Sequence, residues 1–174
     1  MNGWFDAAWM AESLRSRSAR DVVAEVYRHL QSPVYSYLHA TVGSRVEAED
    51  LTQEVFVRLH QELQRGKAIR NLRSWMFSVA HNLAMDACRR ETHRGVLAEE
   101  DLVQTAGQER DLIEGERNRK MTASLQRLSP RERQCLELRA EGLRYREIAD
   151  VLQVSVASVQ SFLARAVSKL KEEL

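Results

Sequence analysis

The sequence predicts an all-α protein made of two small helical domains joined by a linker. Three observations predict it. Only seven glycines and two prolines occur in 174 residues, and no β-branched run breaks the chain, a composition that favours helices. Apolar residues recur at spacings of three and four through most of the sequence, the period of a helix face. That periodicity fades between residues 92 and 116, where glycines appear, and resumes beyond. The length suits one domain or two small ones.

The elements follow in order. Residues 1–19 form an N-terminal extension. Trp4, Phe5 and Trp9 are apolar, but Asp6 and Glu12 interrupt them, so this is read as neither a signal peptide nor a span. No apolar run approaches the roughly 20 residues that cross a bilayer, so membrane insertion is not expected. Residues 20–42 carry the stripe Val22, Val23, Val26, Tyr27, Leu30, Val34 and Leu38. Pro33 is expected to kink this helix or divide it, and Gly43 to end it. Residues 48–64 are the cleanest helix, with Leu51, Val55, Leu59 and Leu63 four apart. Residues 66–73 read as a basic loop. A third long helix spans 74–90, with Trp75 or Met76, Val79, Ala80, Leu83 and Ala87 inward and Asn82, Asp86 and Arg90 outward. Residues 92–116 read as a linker with a short helical end.

Helices over 121–128, 130–141, 146–152 and 156–173 complete a second domain. Ser129 caps the second of these, and Pro130 suits its first turn. Ile148, Ala149 and Leu152 face inward from the short helix. A turn follows at Gln153-Val154, and Ser155 caps the last helix. That helix sets Val156, Val159, Leu163, Ala166, Val167 and Leu170 on one side. This is a helix-turn-helix, and its free side fits a DNA major groove.

The net charge is only +1, but it is unevenly spread. Between 45 and 62, Glu47, Glu49, Asp50, Glu54 and Glu62 outweigh Arg45 and Arg58, net −3. Between 63 and 94, Arg65, Lys67, Arg70, Arg73, Arg89, Arg90 and Arg94 outweigh Asp86 and Glu91, net +5. The stretch 96–121 is acidic again, net −3. An acidic face beside a basic one suits a chain that meets both a protein and a polyanion.

Three segments together resemble the sigma-70 family of bacterial transcription initiation factors, and within it the extracytoplasmic-function subgroup. Ala48-Glu49-Asp50-Leu51-Thr52-Gln53-Glu54-Val55-Phe56 resembles the family's second-region helix. Trp75-Met76-Phe77-Ser78-Val79-Ala80-His81-Asn82-Leu83-Ala84-Met85-Asp86, with Arg89-Arg90 after it, resembles the reader of the −10 promoter element. The C-terminal helix-turn-helix resembles the −35 reader. The resemblance covers residues 22 to 172 and implies a region 2-like domain over 20–95, an acidic linker over 96–121 and a region 4-like domain over 122–174. It implies binding to core RNA polymerase through Asp50, Gln53, Glu54 and Val57. For −10 DNA it implies Lys67, Arg70, Arg73, Ser74, Asn82, Asp86, Arg89 and Arg90, with the loop 67–74 holding a flipped base. For −35 DNA it points to Ser155, Ala157, Ser158, Gln160, Ser161, Arg165 and Lys169. An anti-sigma factor is an expected partner, and the cytoplasm the expected compartment.

The residues agree with that assignment and depart from it in places. Arginine and lysine can meet phosphates, and Asn82 and Asp86 can bond base edges. Trp75 is expected in the core, although Trp75 and Phe77 can also be imagined as strand-separating wedges. In the last helix the family's usual cations are replaced by Gln160, Phe162 and Val167. Phe162 is expected to pack at the margin of the buried stripe. Gln153 replaces a turn glycine, and Arg144 stands where a serine commonly caps. His81, Cys88 and His93 do not match metal-ligand spacing, no catalytic constellation or phosphate-cradling loop occurs, and Cys88 and Cys135 read as free thiols. No enzyme activity, metal or cofactor is expected. Two alternatives stay open: a regulator of response-regulator output type, and a sigma mimic that binds an anti-sigma factor or polymerase without promoter DNA.

Overall fold

The structure, a computed structural model, describes residues 9, 12–13, 16–66, 69–93 and 127–171. The described residues form six helices: α1 (Ala19–Val42), α2 (Arg45–Gln64), α3 (Leu72–His93), α4 (Pro130–Ala140), α5 (Tyr145–Leu152) and α6 (Val156–Lys171). The chain divides into two compact units, with the boundary after Arg94. The linker, most of the N-terminal extension, Lys67, and the helix expected over 121–128 up to residue 126 lie outside the described residues. Arg127 and Leu128, at the end of that expectation, form a turn.

In the first unit α1 packs on both α2 and α3, and α2 packs on α3. Val22, Val26, Leu30, Val34 and Leu38 of α1 are wholly buried, as are Val55 and Leu59 of α2 and Leu72, Met76, Phe77 and Ala80 of α3. Each large side chain removed from water here contributes roughly 1.5–3 kcal/mol. Val23 is half-buried and Tyr27 is exposed, at the edge of the predicted stripe. Tyr27 instead lays its ring against Phe56, with centroids 4.8 Å apart. Pro33 does not divide α1, which runs unbroken to Gly43. Gly43 sits at φ 76° and donates its N–H to His39 O at 2.9 Å, a left-handed stop that glycine takes without strain.

Two helices begin earlier than the apolar pattern indicates, because their caps lie upstream of it. The Ser44 hydroxyl accepts the Glu47 N–H at 3.3 Å and starts α2 at Arg45. Asn71 Oδ1 accepts the Ser74 N–H at 3.0 Å and starts α3 at Leu72. Each cap satisfies an amide that would otherwise lack a partner.

In the second unit α6 packs on α4 and on α5. Its core holds Leu128, Cys135, Leu138, Leu143, Ile148, Val151, Leu152, Val159, Leu163 and Ala166. Ser129 and Glu132 form a full capping box: the Glu132 carboxylate accepts the Ser129 N–H at 2.9 Å and the Ser129 hydroxyl accepts the Glu132 N–H at 3.4 Å. At α5 only half of such a box is made. Glu147 accepts the Arg144 N–H at 2.6 Å, and the arginine offers no acceptor in return. Gln153 ends α5 at φ 53°, a left-handed conformation that favours glycine.

Candidate functional site

The outer face of α2 joins acid to exposed apolar surface. Asp50 and Gln53 are exposed, Glu54 is half-buried and pairs with Arg58 at 2.8 Å, and Val57 is 48% exposed. Val46, one turn before Asp50, is 69% exposed and was not singled out from the sequence. Its signal was there: Val46, Asp50, Gln53 and Val57 follow spacings of four, three and four, one face of a helix. Two valines facing water beside carboxylates suit a partner with a basic, partly apolar surface.

On α3, Asn82, Asp86, Arg89 and Arg90 are all exposed on one side, and Asp86 pairs with Arg89. Arg70, just before the helix, is exposed, while Arg73 and Ser74, which the sequence places in the loop, lie in the first turn of α3 and are half-buried, with the Ser74 N–H engaged by Asn71. The inward side is Met76, Phe77, Ala80, His81, Leu83, Ala84 and Ala87. Trp75 was expected in the core. It is half-buried, as is Val79, and stands two turns before Asn82, on the Asn82 side of the helix. Phe77 cannot be a wedge: it is 0% exposed, edge-on to the Tyr37 ring at 5.5 Å.

A buried contact between α1 and α3 fixes the rotation of α3. The Tyr37 hydroxyl and His81 Nδ1 share a hydrogen bond of 2.8 Å, and both side chains are buried between α1 and α3. With His81 turned inward, Asn82 faces water. A tyrosine and a histidine 44 residues apart give no local pattern from which to read such a pair.

In the helix-turn-helix, the Ser155 hydroxyl accepts the Ser158 N–H at 3.0 Å, the expected cap of α6. Ala157, Gln160 and Ser161 are exposed, and Ser158 is half-buried. The inward stripe is narrower than predicted. Val159, Leu163 and Ala166 are buried and Leu170 half-buried, but Val156 is 36% and Val167 42% exposed. At 100° per residue these two valines fall roughly 60° to the side of the stripe. Phe162 is half-buried at the margin, with the Arg165 guanidinium 5.1 Å above its ring.

Arg165 and Lys169 are engaged within the domain. Arg165 Nε donates to one Glu132 oxygen at 3.2 Å and Lys169 Nζ to the other at 2.7 Å, while the Glu132 side chain is 4% exposed. Burial pushes this carboxyl up, but the Lys169 ammonium and the Ser129 N–H and hydroxyl outweigh it and hold it at about 2. Burial likewise pushes the Cys135 thiol up to about 11 and raises that of Cys88, so neither presents a ready thiolate.

The family model described as Sigma-70 region 2 matches residues 26–94, and that described as Sigma-70, region 4 matches residues 118–170. The chain is 27% identical to the ECF RNA polymerase sigma factor BldN of Streptomyces coelicolor, over 95% of this chain and 66% of that protein. It is 27% identical to the RNA polymerase sigma factor YlaC of Bacillus subtilis, over 89% of this chain and 93% of that one. Among solved structures, CnrH in complex with the cytosolic domain of CnrY superposes with a TM-score of 0.61 at 20% identity, over 96% of this chain and 95% of that one. The sigma factor RpoE in complex with the anti-sigma factor NepR, from Bartonella quintana, gives 0.69 at 19%, over 88% and 96%. These two likenesses are of fold.

Proposed function

Since the chain belongs to the sigma-70 family, in its extracytoplasmic-function subgroup, we propose a division of labour among its faces. It is a promoter-recognising sigma factor for RNA polymerase. Its first unit, residues 20–95, binds core polymerase through the α2 face of Asp50, Gln53, Glu54 and Val57, to which Val46 is added. The same unit binds the −10 element through α3. Asn82 and Asp86 read base edges, and Arg70, Arg73, Arg89 and Arg90 meet phosphates, joined by Ser74 in the first turn of α3 and by Lys67. The second unit, residues 122–174, sets the start of α6 against the −35 element through Ser155, Ala157, Ser158, Gln160 and Ser161, and residues 96–121 connect the two.

The observation that carries this reading is the placement of Asn82, Asp86, Arg89 and Arg90 on one exposed face of a helix whose other side is locked into the core. Hydrogen-bonding groups for bases and cations for phosphates then share a single surface. An anti-sigma factor is the proposed regulator, as RpoE and CnrH are each held by a second protein. The proposed compartment is the cytoplasm, and among the described residues no single helix is long and apolar enough to cross a membrane. Sigma factors are in general non-enzymatic, and we assign this chain no reaction of its own.

One observation favours a second reading. Ala157, Ser161, Ala164 and Ser168, the outermost residues of α6, carry no charge, which suits a protein that meets polymerase or an anti-sigma factor and leaves promoters alone. Transcription by purified core enzyme on a library of genomic fragments separates the two. The sigma factor yields start sites downstream of a shared two-part motif, and the mimic yields none.

A further inference from the structure

We propose that Glu132 sets the electrostatic DNA affinity of the C-terminal unit by holding Arg165 and Lys169, two of the three cations of α6, against the domain. The inference rests on the reading of this unit as DNA-binding and concerns how strongly it can bind.

The position needs only a capping side chain, and glutamine serves a capping box as glutamate does. What glutamate adds is a charge, and that charge is spent on α6. One oxygen takes Arg165 at 3.2 Å and the other takes Lys169 at 2.7 Å, across 33 and 37 residues of chain. The carboxylate is 4% exposed, whereas Arg165 is 56% and Lys169 41% exposed. Both cations are thus at the surface, within reach of a phosphate, yet tethered to a buried anion. Withdrawing either would leave that buried charge less compensated. Arg165 is further held over the Phe162 ring, and Lys169 Nζ also reaches Arg127 O at 3.4 Å.

The rest of α6 does not make up the loss. Val156, Ala157, Gln160, Ser161, Ala164, Val167 and Ser168 are exposed and uncharged, and the remaining cation, Lys171, stands at the end of the helix. The recognition helix therefore presents small, neutral groups to DNA, and the number of its phosphate contacts depends on whether Glu132 releases its two partners. Each phosphate contact adds about 0.9 to the slope of log affinity against log salt. Glu132 accordingly withholds about 0.9–1.8 of that slope.

The test is titration of the full chain against a labelled mixed-sequence duplex at several salt concentrations. Wild type is compared with Glu132→Gln, which keeps the cap, with Arg165→Gln/Lys169→Gln, and with the triple variant. Glu132→Gln should bind more tightly at low salt and with a slope steeper by about 0.9–1.8. The double variant should keep the wild-type slope, and the triple variant should return to it. A Glu132→Gln slope equal to wild type, or a double variant with a shallower slope, overturns the proposal. If circular dichroism shows that Glu132→Gln has lost helix, the double variant alone decides. If neither wild type nor Glu132→Gln binds duplex, the DNA-binding reading falls and this inference with it. Wild-type binding that Glu132→Gln leaves unaltered removes this inference alone.

Discussion

Glu137 should make the C-terminal unit less stable at alkaline than at mildly acidic pH. Its side chain lies on α4, and Oε2 is buried with no hydrogen bond among the described residues. Burial pushes its carboxyl up to about 7 from an ordinary 4.5, against a smaller opposing pull from Arg133. The folded unit therefore keeps this proton at pH values where the unfolded chain has released it. The stability that proton confers is complete below about 4.5 and is lost as pH rises through 7. Between pH 5.5 and 8 the linkage amounts to about 2 kcal/mol. Glu132, held at about 2, contributes stability that is constant over this window and is lost only below 4.5. All five histidines lie before residue 94, in the other unit. The assay is amide exchange of α4, corrected for intrinsic rates, at pH 5.5 and 8. Wild type should lose about 2 kcal/mol of protection free energy over that range. Glu137→Gln should lose almost none and be the better protected at pH 8. Equal protection of wild type at the two pH values, or a Glu137→Gln protein less protected at pH 8, would rule out this role for the Glu137 carboxyl.

Other expectations follow from single residues. Gln153→Gly should stabilise the helix-turn-helix by about 0.5–1 kcal/mol, because the left-handed φ of 53° strains glutamine and not glycine; slower exchange in α5 and α6 would be the sign. Asp50→Ala/Glu54→Ala should weaken capture by core polymerase with helix content retained, and undiminished capture would remove α2 as the docking face. Asn82→Ala should relax −10 preference at one or two positions by roughly 1–3 kcal/mol each, read from transcripts of a randomised promoter library; an unaltered preference would take Asn82 out of base reading.

Much of this was legible because it is local. The capping signals at Ser129 and Ser155, the four-residue rhythm of Leu51, Val55, Leu59 and Leu63, and the left-handed position at Gln153 are each set by neighbours a few residues away. The face of α3 was only half legible. Trp75, Met76 and Phe77 are three consecutive apolar residues, so periodicity alone leaves the rotation undecided. Packing of Phe77 and His81 against Tyr37 decides it, through contacts at least 40 residues apart in sequence. Arg165 and Lys169 read as DNA contacts because a cation on a recognition helix usually is one. Their pairing with Glu132 spans more than 30 residues, and nothing near Arg165 in sequence announces it. The same limit applies to Glu137, whose burial depends on how α4 is covered rather than on its own pattern.

We propose further that the exposed α3 face, by holding −10 bases, helps to open that element once the α2 face has docked the protein on polymerase. Permanganate reactivity of −10 thymines in complexes with purified core enzyme reads that opening. With wild type, those thymines should become reactive. With Asn82→Ala/Asp86→Ala they should stay protected although the protein still binds core, and with Asp50→Ala/Glu54→Ala reactivity should fall in step with core binding. Full reactivity in the Asn82→Ala/Asp86→Ala complex would show that the α3 face plays no part in opening.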